Sequence, residues 1–472
     1  MSGKNEDVVD RLRQLFPEQL FDETSPHYET TRNSFWSGNQ KAEKPACVVQ
    51  PRNAGELAQA VKVCAEFQTP FAVKSGGHGH FAGQSSITGG VQFDLAKLNV
   101  VSVNNEKTSV WVGSGNSWAT VYKKLEKMGR IAVGGRAASS TGGISLYAAR
   151  YGWSIDNVRS FEIALADGRV LIANRNSEPD LYRALRGGGS NFGVVASFEL
   201  ELYPYSGMWG GFRVVNPDYL TQAIEAFLGF IPKVEADEKG HTILALSSED
   251  GELQVSQFLA YTDPVRDPPM FGQLQEVPAN QKSLHLTHQS SLATFLAALQ
   301  HGSGAHQALA TITFRPNQPT LELACSLFKQ IAAEMVDIAQ STLEIHLLPR
   351  HFKLKDDCYG LAGSGDPLIC AVIAFTTNDA KHNGTVLQTQ EKYLHQIAEE
   401  AKRYNVGHPF LYMNYAAKFQ DVITSYGAEN VEFLRRVAAA YDPDQVFQRL
   451  VPGPFKLYGR TRHINGKLQL GI

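Results

Sequence analysis

Between residues 45 and 205 the apolar positions fall in short runs broken by glycine, and the runs alternate between strand and helix periods. "ACVVQP" (46–51) is an apolar run of strand length. In "NAGELAQAVKVCAEFQ" (53–68), Leu57, Val61, Cys64 and Ala65 recur at helical spacing behind Asn53, a good N-cap, so an amphipathic helix is expected. "PFAVKSGG" reads as a strand feeding a glycine loop, and "GGVQFDLAKLNVVSVNNEKTSVWVGSG" as strand, turn, strand about Asn104-Asn105. "SWATVYKKLEKMG" predicts a helix stopping at Gly129, "VRSFEIALADGRVLIAN" a hairpin about Asp167-Gly168, and "PDLYRALRGG" a short helix from Pro179.

From about residue 210 the texture changes to longer elements with fewer glycine clusters. "LTQAIEAFLGFI", "ELACSLFKQIAAEMVDIAQ" and "TVLQTQEKYLHQIAEEAKRY" have helical periods; "HTILALSSED", "LQVSQFLAYT" and "PLICAVIAFTT" read as strands. This half predicts helices laid on one antiparallel sheet. "FLRRVAAAYDPDQVFQ" adds a helix, a turn and a closing tail.

At 472 residues the chain predicts two or three domains. A formal net charge of -3 leaves no basic surplus, which argues against nucleic acid and anionic membrane as partners. "MSGKNEDVVDRLRQLF" lacks the apolar core of a signal peptide, and no window is apolar for the length of a membrane span. A cytoplasmic protein is expected, or a secreted one if a leader precedes this numbering. Cys47, Cys64, Cys325, Cys358 and Cys370 are odd in number without a C-x-x-C pair, so free, mostly buried thiols are expected.

The chemistry concentrates in "FAVKSGGHGHFAGQSS" (71–86). His78 and His80 share a face of an extended segment, but no H-E-x-x-H or acidic cluster completes a metal site, so none is expected. Gly76, Gly77, Gly79 and Gly83 could instead turn backbone N–H groups toward an anion. "GGRAASSTGG" (134–143) and "LRGGGSNFG" (185–193) add two further clusters, with neither P-loop nor dinucleotide-fold spacing. Three such loops in one domain point to a large, phosphate-bearing cofactor.

"PACVVQPRNAGELAQAVKVC", "KSGGHGHFAG", "GGVQFDLAKLN", "GNSWATVYKKL", "ARYGWSIDNV", "ALADGRV", "LRGGGSNFGVVASF", "FLYMNYA" and "AAYDPDQVFQRLVPGPFKL" occur in that order between about residues 45 and 457. In this the chain resembles the FAD-linked oxidases of the vanillyl-alcohol-oxidase class, in their fungal berberine-bridge-enzyme-like branch. The resemblance implies an α+β fold: a two-subdomain PCMH-type FAD-binding domain over about 40–207, an α+β substrate domain over 208–430 with an antiparallel sheet covered by helices, and a C-terminal segment, 431–472, returning to the first.

It further implies FAD bonded covalently through His78, with Ser75, Gly76, Gly77, Gly79, Ser85, Gly135, Ser139, Ser140, Thr141, Gly142, Gly143 and Val195 around the cofactor. A histidyl substituent draws electron density from the isoalloxazine, and the tether fixes the ring against substrate. His80 has no covalent role in the family and is expected to brace the loop. The second cluster holds no cysteine, so no second, cysteinyl bond is expected, and its glycine run is several residues shorter than in the family.

Oxidation in this family needs a base for the O–H or N–H proton, a hydride transfer to flavin N5, and O2 to reoxidise the flavin with release of H2O2. The resemblance places Tyr151, Tyr412, Asn414 and Tyr415 there. "LICAVIAFTT" lacks the polar or acidic side chains of plant relatives, and Arg350, His351, Asp356 and Asp357 read as a solvated loop. The expected function is an FAD-dependent oxidase of a small, largely apolar metabolite, which the resemblance places in fungal secondary metabolism. A non-redox cyclase or isomerase on the same scaffold, a sugar oxidase and a binding protein are the alternatives.

Overall fold

The computed structural model describes residues 2–136, 143–249, 251–284, 287–289, 291–297, 303–349, 357–361, 365–459, 461–464 and 467–470. Three larger sheets organise them, beside a two-stranded ribbon, Thr461–Ile464 with Lys467–Leu470, and the glycine loops lie between elements of the first two.

The first sheet places Cys47–Val49, Val91–Asp94 and Phe71–Lys74 parallel, with Leu20–Phe21 antiparallel on the edge. The helix Ala54–Glu66 crosses between two of these strands, capped by Asn53, whose Oδ1 accepts from Glu56 N at 2.9 Å. Its stripe of Leu57, Val61 and Cys64 is fully buried. Val8, Leu12 and Phe16, in and after the N-terminal helix Ser2–Leu15, enter the same core.

The second sheet is antiparallel, in the order Val101–Val103, Ser109–Gly113, Val194–Pro204, Val158–Ala164, Val170–Asn174, with Arg130–Ala132 on the far end of the long central strand. Both expected hairpins are present. The helix Trp118–Glu126 ends three residues before Gly129, which takes the left-handed conformation (φ 65°).

The third sheet is antiparallel and centred on Glu252–Tyr261, Gly240–Glu249, Gln340–Leu348, Leu368–Thr377 and His306–Phe314. Helices Leu220–Gly229, Gln318–Glu334 and Asn383–Arg403 cover one face. "LTQAIEAFLGFI" does not run through as one helix: it breaks at Phe230, and a second helix, Ile231–Ala236, begins with Pro232 in its first turn. Strand alternation divides the sheet. Leu343, Ile345, Ile369, Ala371 and Ile373 pack under the helices, which puts Glu344, His346 and Cys370 on the opposite face, toward the glycine loops.

Helix Ala428–Tyr441 packs on Pro179–Leu185, and Val446, Phe447 and Leu450 enter the core of the first sheet. All five cysteines are free and buried. No described helix is long and apolar enough to cross a membrane.

Candidate active site

The two histidines of the first loop part company. His78 is half-buried and stacks on Trp36, with ring centroids 4.3 Å apart and planes at 21°. His80 is buried: its Nδ1 accepts from Leu309 N at 3.2 Å and its Nε2 lies 3.2 Å from Ala416 O. A carbonyl can only accept and an amide N–H only donate, so His80 is the neutral Nε2–H tautomer. Burial pushes its pKa down to about 4. It braces the loop, as expected.

Around it the loop is held by side chains that the sequence did not flag. Gln40 donates to Gly79 O at 2.7 Å and accepts from Ser85 N and Oγ at 2.9 and 2.7 Å; Gln84 accepts from His80 N at 2.8 Å. A Cβ on Gly79 would stand 2.6 Å from Gln40 Nε2 and 2.7 Å from Gln84 Oε1, so only glycine lets both glutamines reach in. Ser75 Oγ donates to Ser114 O, and the buried Gly77 accepts from Trp36 N at 2.9 Å, while Gly76 is half-exposed.

One segment, 412–416, meets all three glycine loops. Ile144 N, beside Gly143, donates to Tyr412 Oη at 3.0 Å; Met413 lies against Gly189 of the third cluster; Tyr415 accepts from Arg136 at 2.8 Å; Ala416 holds His80 of the first. Asn414 is exposed and donates to Tyr412 Oη at 2.9 Å. Tyr412 and Tyr415 meet edge to face at 5.0 Å. Burial pushes the Tyr412 phenol up to about 12 and raises Tyr415 as well, with the Arg136 charge working the other way on both.

Arg136 is the residue that joins loop and sheet. Its Nη1 lies 3.3 Å from His241 Nε2 and 3.1 Å from His346 Nδ1. His346 stacks on Tyr415 at 5.4 Å, and its Nε2 is 3.0 Å from Glu344 Oε2. Burial, then the nearby guanidinium, holds both imidazoles below the usual histidine range. Arg136 stood in plain view in "GGR"; His241 and His346 carry no local signal, because only strand register turns them toward it.

The other expected residues are placed as follows. Tyr151 is set apart from this cluster, stacked on Tyr203 at 3.7 Å with Arg150 over its ring. Gly135 accepts from Tyr122 Oη at 3.2 Å, and Val195 pairs with Ile163 in the second sheet. Ser139, Ser140, Thr141 and Gly142 lie outside the described residues, as do Arg350, His351 and Asp356. Asp357 corrects the reading of a solvated loop: it is buried, and its Oδ1 accepts from Tyr359 N and Gly360 N, both at 2.9 Å. Cys370 is within electrostatic reach of Arg136, yet burial pushes its thiol up to about 11, so it stays protonated.

His80 gives the protein an acid limb. Its folded pKa is about 4 against 6.5 unfolded, so its contribution is complete above pH 6.5 and is lost as pH falls toward 4. The full span is worth about 3 kcal/mol. Urea midpoints should drop between pH 7.5 and 4.5, and His80→Gln should flatten that slope. An unchanged slope would remove His80 as its source.

A cavity of about 110 Å3, walled mostly by apolar atoms, lies between the second sheet and helix Trp118–Glu126, bounded by Ser114, Asn116, Trp118, Ile155, Phe161 and Phe198. It is of the order of cavities that take an aromatic ring. Ser114 joins it to the first loop through Ser75. A ring-sized cavity beside a loop opened by glycine fits a cofactor carrying both an aromatic base and phosphates.

Comparison with known proteins agrees. Residues 45–174 match the FAD binding domain family. The chain is 32% identical to the FAD-dependent monooxygenase tpcD of Cochliobolus heterostrophus, over 91% of this chain and 89% of that one. It is 33% identical to the FAD-dependent monooxygenase FUP4 of Fusarium proliferatum, over 90% and 87%. The structure of berberine bridge enzyme from Eschscholzia californica superposes with a TM-score of 0.76 at 14% identity, covering 94% of this chain and 99% of that one. The chain belongs to the family of fungal FAD-dependent enzymes that includes these two monooxygenases, and it has the fold of berberine bridge enzyme. It is an FAD-linked oxidoreductase.

Proposed function

We propose that the protein is an FAD-dependent oxidase of a small metabolite in fungal secondary metabolism, with FAD bonded through His78 and O2 as electron acceptor. The observation that carries this reading is the convergence of all three glycine loops on residues 412–416. The chemistry that FAD supplies when bound is two-electron oxidation, taking hydride from a substrate carbon and passing the electrons to O2 as H2O2. Trp36, stacked on His78, fixes the imidazole plane and with it the direction in which its ring nitrogens point.

Tyr415 is the best placed group to take the substrate's proton. Arg136 donates to its oxygen at 2.8 Å and stabilises a tyrosinate there, against the burial that raises the phenol. Tyr412, whose oxygen already accepts from Ile144 N and Asn414, holds the second loop against the segment and shapes the wall beside Tyr415. Tyr151, Asn414 and the loop residues 139–143 complete the proposed site.

Acid precipitation of purified protein tests the attachment. The pellet of the unaltered protein should stay yellow, and His78→Ala should release the colour to the supernatant; a yellow pellet from the variant would remove His78 as the point of attachment. A non-redox cyclase or isomerase is a second reading, favoured by phenols raised and imidazoles lowered by burial, which leaves no strong base at neutral pH. Turnover without peroxide would decide for it.

A further inference from the structure

The face of the third sheet turned toward the glycine loops holds a guanidinium with no carboxylate paired to it among the described residues. A guanidinium only donates, so the His241 and His346 nitrogens facing Arg136 carry lone pairs. Both rings are neutral, and Tyr415 is the third acceptor. The carboxylate of Glu344 approaches the other nitrogen of His346, on the far side of the ring from Arg136. Among the described residues no carboxylate pairs with Arg136, and two of its five N–H groups have no partner.

Three buried cations are treated differently from the half-buried Arg136. Lys74 pairs with Asp94 at 3.3 Å and Arg186 with Asp156 at 2.9 Å. Arg213 has no carboxylate either, but it is surrounded by the oxygens of Gln257, Leu274, Gln275 and Val277. Arg136 alone of these four is oriented by neutral rings and, among the described residues, left with charge and donors to spare. Two carboxylates in place of the histidines would hold the guanidinium as well and cancel its charge.

We propose that Arg136, held by His241 and His346 and flanked by Tyr415, binds an oxyanion carried by the substrate itself: a carboxylate, or the enolate or phenolate oxygen of an acidic carbonyl or aromatic compound. The site deepens the oxidase reading, on which it rests for the location of the reacting atoms. It also amends the expected substrate, from a largely apolar metabolite to an apolar one with a single acidic oxygen. An oxyanion here accepts the spare guanidinium N–H groups, and the apolar remainder meets the buried rings of Tyr412 and Trp153, 5.5 Å apart. A planar fork suits a carboxylate in two-point contact, which lysine could not reproduce.

Calorimetric titration of the whole protein at pH 8 with benzoate, benzamide and 4-nitrophenolate tests the site, with flavin measured on the same preparation by acid release. Benzoate or 4-nitrophenolate should bind at least tenfold more tightly than benzamide; whichever does so tells carboxylate from aryl or enolic oxyanion. Arg136→Gln should remove that preference, and Arg136→Lys should keep part of it. Equal binding of benzamide, failure of both anions to bind, or an unchanged preference in Arg136→Gln would overturn the proposal. If Arg136→Gln does not fold, the comparison of anion with amide on the unaltered protein still decides. A colourless protein that prefers the anion keeps the site and sinks the flavin reading; a yellow one without the preference does the reverse.

Discussion

Replacing Arg186 by methionine should cost about 3–5 kcal/mol of stability, the loss expected when one partner of a buried ion pair is removed. Both side chains of the Arg186–Asp156 pair are almost wholly buried, 1% and 4% exposed, at 2.9 Å. Arg186 also donates to Ile155 O at 3.1 Å, and Asp156 Oδ2 accepts from Trp153 N at 2.7 Å, so the pair locks the turn that lines the ring-sized cavity. Even with its partner, burial pushes Asp156 up to about 6. Without Arg186 the carboxylate is left in an apolar surround, and the turn opens or takes up a proton. Urea unfolding followed by tryptophan fluorescence measures the loss. Adding Asp156→Asn to Arg186→Met should restore part of it, since the orphaned charge goes too. An unshifted midpoint in the single variant would show that the pair does not hold the turn.

The second large effect is steric. A Cβ on Gly115 would stand 2.0 Å from Leu95 O and 3.0 Å from Leu98 O, both backbone atoms that no rotamer change can move. Gly115→Ala should therefore lower stability by about 3 kcal/mol, at the upper end of overpacking costs. It should also loosen the cofactor, because Ser114 and Asn116 on either side line the cavity. Gly384→Ala is the matched control. Gly384 lies in helix Asn383–Arg403 with nothing within 4 Å of a built Cβ, so the same exchange should be neutral or stabilise by up to about 1 kcal/mol. Melting temperatures of the two variants should move in opposite directions or differ by several degrees. Equal shifts would mean that the approach of Leu95 to Gly115 is relaxed in solution.

The elements of the first two sheets were legible because each carries its own punctuation. Asn53 caps its helix as read, Gly168 turns its hairpin, and Pro179 opens its helix. In the first loop the bracing role of His80 was legible, while the stacking of His78 on Trp36 was not. The polar wall was not. "LICAVIAFTT" reads as greasy, and its own side chains are; the polarity beside it comes from Glu344 and His346 one strand over, and from His241 on the strand beyond. Nothing in a linear pattern says which strands become neighbours. Asp357 was misread for a related reason: a charged stretch looks solvated until backbone N–H groups from Tyr359 and Gly360 are found satisfying it.

The meeting of the three glycine loops on residues 412–416 sets an order on how the protein is made. His80 and Ala416 are 336 positions apart, and Ile144 and Tyr412 are 268. Contacts of such separation close late, after local helices and hairpins have formed, and a chain emerging from the ribosome cannot make them until nearly all of it is synthesised. The first two sheets can therefore assemble as an open cradle well before anything clamps it. Loading of the cofactor belongs to the end of folding, when residues 412–416 arrive to close all three loops at one place.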